Sequence, residues 1–293
     1  MTEAQRITTA LRGHWYGRYG VTLCPVHSDT RPSLSITDGD GGRLLLRCHA
    51  GCDFTDILDA LKGMGLVAGG GTYTPPSRED MARLRHAEGE HADRQEARAL
   101  ACWREAQPIG GSLAETYLRS RGITADLPDT LRFHPDCWHP SAKRFPAMVA
   151  LVEGVPRLAV HRTYLRSNGA GKASVEPAKA MLGAVAGGGV ILSRSGQGWV
   201  VCEGIETGLS LASGLLTRPA TIIAALSTSG MKRLTLSDTP GGLTIATDGD
   251  DAGRAAGNGL GIRATALGWK VSLLPAPDGH DWNDILTARS TAA

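Results

Sequence analysis

The sequence lacks any apolar run of about 18 residues, which excludes a membrane-spanning helix. Its amino terminus, Met1-Thr2-Glu3-Ala4-Gln5-Arg6, has no apolar signal core. The expectation is a cytoplasmic protein with no membrane partner. A charge excess of one sign is also missing, since 31 Lys and Arg stand against 29 Asp and Glu. Composition alone therefore does not mark a nucleic-acid binder. Balance in the total still leaves room for a basic surface when carboxylates are gathered into one pocket. Internal repeats and low-complexity tracts are absent. So is a disulfide framework: Cys24, Cys48 and Cys52 lie close together with a histidine, whereas Cys102, Cys137 and Cys202 are scattered. That distribution suits metal binding in a reducing compartment.

What the sequence does contain is enough apolar residue, 42% of 293 positions, for two or three small cores. Two changes of texture divide it. Residues 1–68 hold the Cys/His cluster, short strand-like runs and a helical stretch at 53–63. Gly69-Gly70-Gly71-Thr72-Tyr73-Thr74-Pro75-Pro76 reads as a linker. The charged, Ala-rich, Pro-free stretch 78–107 reads as a solvated connecting helix, so 69–107 is linker and helix together. Residues 108–195 mix a short helix at 114–120 with strands at 147–152 and 158–165. From 196 to 293, short apolar runs at 199–202, 221–226, 243–246 and 271–274 alternate with helical patterns. Buried runs alternating with helices predict a doubly wound, mostly parallel α/β sheet.

Cys24-Pro25-Val26-His27 and Cys48-His49-Ala50-Gly51-Cys52 form two metal-binding knuckles. Between them, 33–37 and 43–47 alternate as a hairpin around Asp38-Gly39-Asp40-Gly41-Gly42. A hairpin between two knuckles is a zinc ribbon. Cys24, His27, Cys48 and Cys52 fill a tetrahedron and leave no open position, so the Zn²⁺ is structural. His49 competes with Cys48 as ligand, but thiolate is the softer donor and is preferred. Trp15, Tyr16 and Tyr19 either pack the edge of the ribbon or stack on bases.

The second chemical signal is acidic. The run 199–202 leads into Glu203-Gly204, 243–246 into Asp248-Gly249-Asp250-Asp251, and 271–274 into Asp278-Gly279-His280-Asp281. Carboxyl ends of parallel strands share one edge, where ligands bind. Glu203, Asp248, Asp250 and Asp281 therefore converge. Carboxylates so crowded repel one another unless a divalent cation lies between them, and oxygen donors without Cys or His select Mg²⁺ or Mn²⁺. The glycines after Glu203 and Asp248 allow a tight turn and close approach of a phosphate.

These residues resemble the Toprim domain of bacterial-type primases, topoisomerases and some nucleases, whose marks are a glutamate after the first strand and Asp-x-Asp after a later one. They fall here on Glu203 and on Asp248 with Asp250, and Asp281 matches a further acidic position. Many replicative primases carry an aspartate four residues after the glutamate; this chain has Thr207, with Glu206 beside it, which leaves the second metal's ligands open. The knuckles resemble the zinc ribbon of the same primases, in the compact form found in phages, plasmids and other mobile elements. The segment around Tyr117-Leu118-Arg119 and Glu176-Pro177-Ala178-Lys179 is similar to them as well. The resemblance implies that 108–195 is the basic middle region of a polymerase core and 196–293 the Toprim catalytic domain.

It further implies a DNA primase that makes short RNA primers on single-stranded DNA from ribonucleoside triphosphates by two-metal transfer. In that function Glu203, Asp248 and Asp250 are catalytic, while Lys172, Lys179 and Arg162 bind template or nucleotide. The Toprim motifs lie near residue 293, so a separate replicative helicase is the expected partner. Two other readings stay open: a non-catalytic zinc/Toprim DNA-binding recombination mediator, and a Toprim nuclease.

Overall fold

The computed structural model describes residues 1–29, 32–39, 43–67, 78–195 and 198–291. The linker at 69–76 and the hairpin tip at 40–42 lie outside them. The chain forms two units, Met1–Arg78 and Glu79–Ala293.

The first unit opens with helix α1 (Glu3–Ala10), whose N-terminus is capped by the Thr2 hydroxyl. Strands β1 (His14–Trp15), β2 (Gly20–Thr22), β3 (Leu34–Asp38) and β4 (Leu44–Cys48) form an antiparallel sheet in that order. The expected hairpin is β3–β4, with Leu34 opposite Cys48. Helix α2 (Phe54–Gly63) follows the second knuckle and places Ile57 and Leu61 in a core with Ala4, Ile7, Leu34 and Ile36. Trp15 packs at the edge of that core, whereas Tyr16 and Tyr19 are exposed and stack on each other at 5.2 Å.

The second unit begins with helix α3 (Arg78–Glu105). It is more than the exposed connector expected from its charge. Ala99, Cys102, Trp103 and Ala106, spaced 3, 1 and 3 apart, lay a narrow apolar stripe on a second sheet beside Val149 and Val160. That sheet is antiparallel in the order β5 (Gln107–Pro108), β6 (Leu131–Trp138), β7 (Arg144–Val152), β8 (Ala159–Tyr164) and β9 (Lys179–Leu182), with helix α4 (Leu113–Ser120) between β5 and β6.

The third sheet has the order β10 (Val190–Ser193), β12 (Thr221–Ala224), β11 (Trp199–Cys202), β13 (Gly242–Thr247) and β14 (Lys270–Pro275). All its pairs are parallel except the edge pair β10–β12. Helices α5 (Ile205–Ser210), α6 (Thr228–Arg233), α7 (Asp251–Ala266) and α8 (Trp282–Thr291) cover both faces. The pleat sorts the core. Val200 and Cys202 pack with Leu209 and Leu286, while Val201, on the opposite face, packs with Met231 and Leu260.

The second and third sheets share one core, because Tyr117 and Leu118 of α4 pack in the same cluster as Cys202 and Leu209. Asn283 strengthens the join by donating to Arg121 O (2.8 Å) and Ser210 Oγ (2.9 Å) while nearly fully buried. The architecture is thus mixed α/β: an N-terminal Cys/His-bearing region, a middle region and a mostly parallel C-terminal sheet. Among the described residues, no helix is long and apolar enough to cross a membrane.

Candidate functional site

In the first unit, β2 leads into the first knuckle and β4 ends in the second, and the sheet brings the two together. The ligand atoms of Cys24, His27, Cys48 and Cys52 all lie within 4.8 Å of one another, close to the edges of about 3.3–3.8 Å in a tetrahedral zinc site with bonds of about 2.0–2.3 Å. Asp29 organises the first knuckle. Its carboxylate meets His27 Nε2 at 2.5 Å and accepts from Ser33 Oγ (2.5 Å) and the Cys24 N–H (2.9 Å). With Nε2 taken, His27 turns Nδ1 toward Cys52 Sγ, 3.1 Å away. Burial raises the Cys48 thiol, but N–H groups of Cys52 and Ala50 and the Ser33 hydroxyl outweigh it and bring it down to about 6. The set is therefore preformed and its donors suit zinc. His49 stands outside it, exposed and hydrogen-bonded to Ser35 (2.8 Å).

In the second unit, Cys202 lies opposite Ala246, and Ala246 opposite Leu274, so Glu203, Asp248 and the 276–281 loop emerge at one edge of the sheet. The Asp248-Gly249-Asp250 turn is stitched to that loop. Gly249 donates to His280 O (2.9 Å) and accepts from the Gly279 N–H (3.0 Å). A Cβ on Gly249 would meet Pro277 O, so glycine is required there by close backbone approach. Gly204 differs. Its φ is −110° and a Cβ would make only ordinary contacts, so the turn after Glu203 does not need glycine as expected from the sequence.

Two of the acidic candidates also cap helices. Asp250 accepts from the Gly253 N–H (2.6 Å) at the start of α7, and Asp281 accepts from the Asp284 N–H (2.8 Å) at the start of α8. Each cap occupies one oxygen and leaves the other.

Crowding shows in the protonation equilibria. Burial first, then the charges of Asp248 and Asp250, pushes Glu203 up to about 7. Burial, then Asp281 and Asp250, pushes Asp248 up to about 6. Among the described residues, however, only the Cys/His set brings three or more donors within 4.8 Å of one another. The carboxylates are near enough to raise one another. Oxygen donors without Cys or His, destabilised by one another, fit a hard divalent cation.

The lysines singled out in the sequence meet a buried glutamate. Glu206, 5% exposed, faces Lys179 Nζ at 3.0 Å and Lys172 Nζ at 3.3 Å, and accepts from the Tyr117 hydroxyl at 2.8 Å. Burial opposes its ionisation, but the two ammonium groups and the hydroxyl hold its carboxyl far below the usual range. The charge of Lys179 also acts on Glu203 and Asp248, lowering both. His161, fully enclosed beside this cluster, is pushed down to about 4 by burial and by Lys179. Thr207 turns its hydroxyl to Asp248 Oδ1 (3.4 Å).

Arg162 is not brought to this site. Neighbours on a strand point to opposite faces. With His161 toward Glu206, Arg162 faces α3, where it is buried and donates to Trp138 O (2.8 Å) and Met181 O (3.2 Å). The alternation of His161-Arg162 within a strand is a sequence signal that excludes both from one pocket. The roles of Glu206 and Tyr117 carry no such signal, since the pair is 89 residues apart.

Residues 199–292 match the Toprim domain family, and residues 93–192 match a domain of unknown function, DUF7146. No curated protein matches the chain. Among solved structures, a DNA primase domain from Pseudomonas aeruginosa is 18% identical, with 66% of this chain and 74% of that one covered and a TM-score of 0.42. The Aquifex aeolicus primase (zinc-binding and RNA polymerase domains) is 14% identical over 98% and 80%, with a TM-score of 0.43. The RNA polymerase domain of Mycobacterium tuberculosis primase DnaG is 19% identical over 62% and 60%, with a TM-score of 0.35. These distant likenesses carry no functional argument. The family match agrees with the strand-end carboxylates and the parallel sheet, and the knuckles agree with a ribbon: segment 199–292 is a Toprim domain, in a chain whose N-terminal Cys-His-Cys-Cys set fits a zinc ribbon.

Proposed function

We propose that the protein is a DNA primase that joins ribonucleoside triphosphates into short primers on single-stranded DNA. The observation that carries this reading is the shared sheet edge from which Glu203, Asp248 and the 276–281 loop emerge, where burial and mutual charge raise Glu203 and Asp248 to about 7 and 6. Divalent cations (Mg²⁺ or Mn²⁺) bound there would supply Lewis acidity for an in-line transfer to a ribonucleotide 3′-hydroxyl with pyrophosphate leaving. Glu203, Asp248 and Asp250 would hold them, with Asp281 on the flank. Lys172 and Lys179 would meet the triphosphate or template backbone, with Glu206 and Tyr117 setting their position. Arg162 takes no part. The ribbon would recognise template.

The test is incubation with single-stranded DNA, labelled ribonucleotides and Mg²⁺. Short labelled products are expected. Shortened DNA would show a nuclease, and binding with neither product would show a mediator.

A further inference from the structure

On the face of the second sheet turned away from the carboxylates, a cavity of about 690 Å³ lies between α3 and strands β6, β8 and β9. Its walls include Arg98, Arg144, Arg162, Cys102 and Cys137, none of which serves the acidic site. Cys102 comes from α3 and Cys137 from β6, 35 residues earlier and later in the chain, yet their sulfurs are 3.8 Å apart. Both thiols are free.

A second metal site does not explain the pair. No third Cys, His, Asp or Glu among the described residues joins the two sulfurs within ligand reach. The buried Arg162 beside them brings positive charge that repels a cation and attracts a thiolate. The hydrogen bond from Cys102, and then Arg162, hold the Cys137 thiol below its ordinary value, while the same hydrogen bond and burial push Cys102 up. Of the two, Cys137 is the thiol that ionises more readily.

We propose that Cys102 and Cys137 are an oxidation site for small hydroperoxides, entered from the cavity, at which the two thiols join as a disulfide tying α3 to β6. The Cys137 thiolate attacks the peroxide oxygen, the O–O bond breaks, and Cys137 becomes a sulfenic acid as hydroxide leaves and takes a proton. Cys102 then attacks the Cys137 sulfur, gives up its proton, and expels water. Two thiols and one hydrogen peroxide become one disulfide and two waters. An S–S bond of about 2.05 Å requires the sulfurs to approach by roughly 2 Å. The three zinc-set thiols are a built-in reference, because metal coordination shields them.

The experiment treats the full, zinc-loaded chain with stoichiometric hydrogen peroxide, alkylates the remaining thiols, digests with trypsin and maps the peptides by mass. The expected product is peptide 99–104 linked to 133–143 and lost on reduction, with zinc retained. In Cys102→Ser, Cys137 is expected to accumulate as a sulfenic acid trapped by dimedone. The proposal is overturned if Cys102 and Cys137 are both recovered alkylated while the zinc set oxidises. It is also overturned if Cys137 passes to sulfinic acid in the parent chain without forming the linked peptide.

Discussion

The protein holds two groups of metal-type ligands that are built in opposite ways. The Cys/His set is tightly gathered: its four donors stand within 4.8 Å, on short turns braced by Asp29 and Ser33. One thiolate, Cys48, among two thiols and an imidazole tolerates such closeness. The Toprim carboxylates do not. They share an edge of the sheet, where burial and their mutual charge raise Glu203 and Asp248 to about 7 and 6. A preformed site suits a resident structural ion; a repelling one suits cations that come and go with an anionic substrate.

The comparison breaks most visibly if zinc is removed. Structural zinc is worth about 10–16 kcal/mol in small finger peptides. Chelation, or Cys24→Ser, is expected to unfold Met1–Arg78 while Glu79–Ala293 keeps its cooperative melt. Limited proteolysis checks this: a resistant fragment covering the second unit should survive. Loss of both units together would show that the zinc set supports more than its own fold.

At the other site, removing a charge should leave the fold intact and abolish the chemistry. Asp248→Asn and Glu203→Gln, made singly, are expected to lower primer synthesis by orders of magnitude, each tenfold being about 1.4 kcal/mol of barrier. Melting temperature should hold or rise, because a repelling charge is gone. Synthesis at the parent rate in both variants would place the active site elsewhere.

Glu206→Gln tests the link between these carboxylates and the lysines. It strands two ammonium groups, but both are more than a third exposed and regain water. The stability loss should therefore fall below the roughly 3–5 kcal/mol of a fully buried pair. The same variant should raise the KM for nucleotide more than it lowers kcat. The reverse pattern would make Glu206 a metal ligand.

The smallest effect is on pH dependence. Glu203 and Asp248 have folded values above their unfolded ones, so the folded state binds more protons. Their contribution is favourable at low pH and is lost as pH rises through about 6 and 7. Metal-free protein should lose thermal stability from pH 5 to 8, Mg²⁺ should restore it at the upper end, and Glu203→Gln should flatten the slope. A slope unchanged by that substitution would assign the titration to other groups.

Much of the fold is local and therefore readable. The runs at 199–202, 243–246 and 271–274 became strands because short apolar segments bounded by turns have few alternatives once helices separate them. Strand β6 was not readable, since Pro135 and the register shift between His134 and Cys137 interrupt its alternation. The C-terminal half of α3 looked solvated because its apolar stripe is narrow and its remaining faces are charged.

By itself the sequence determined the zinc donors and the acidic strand ends, because both follow from spacing along a few residues and from the shared edge of a parallel sheet. Only the tertiary structure decided what Lys172, Lys179, Glu206 and Tyr117 do together, that Arg162 belongs to the opposite face, and that Cys102 meets Cys137. Those pairings join residues 27 to 89 positions apart, or turn on the pleat of a strand whose neighbours must first be known, and no local pattern encodes a partner that far away.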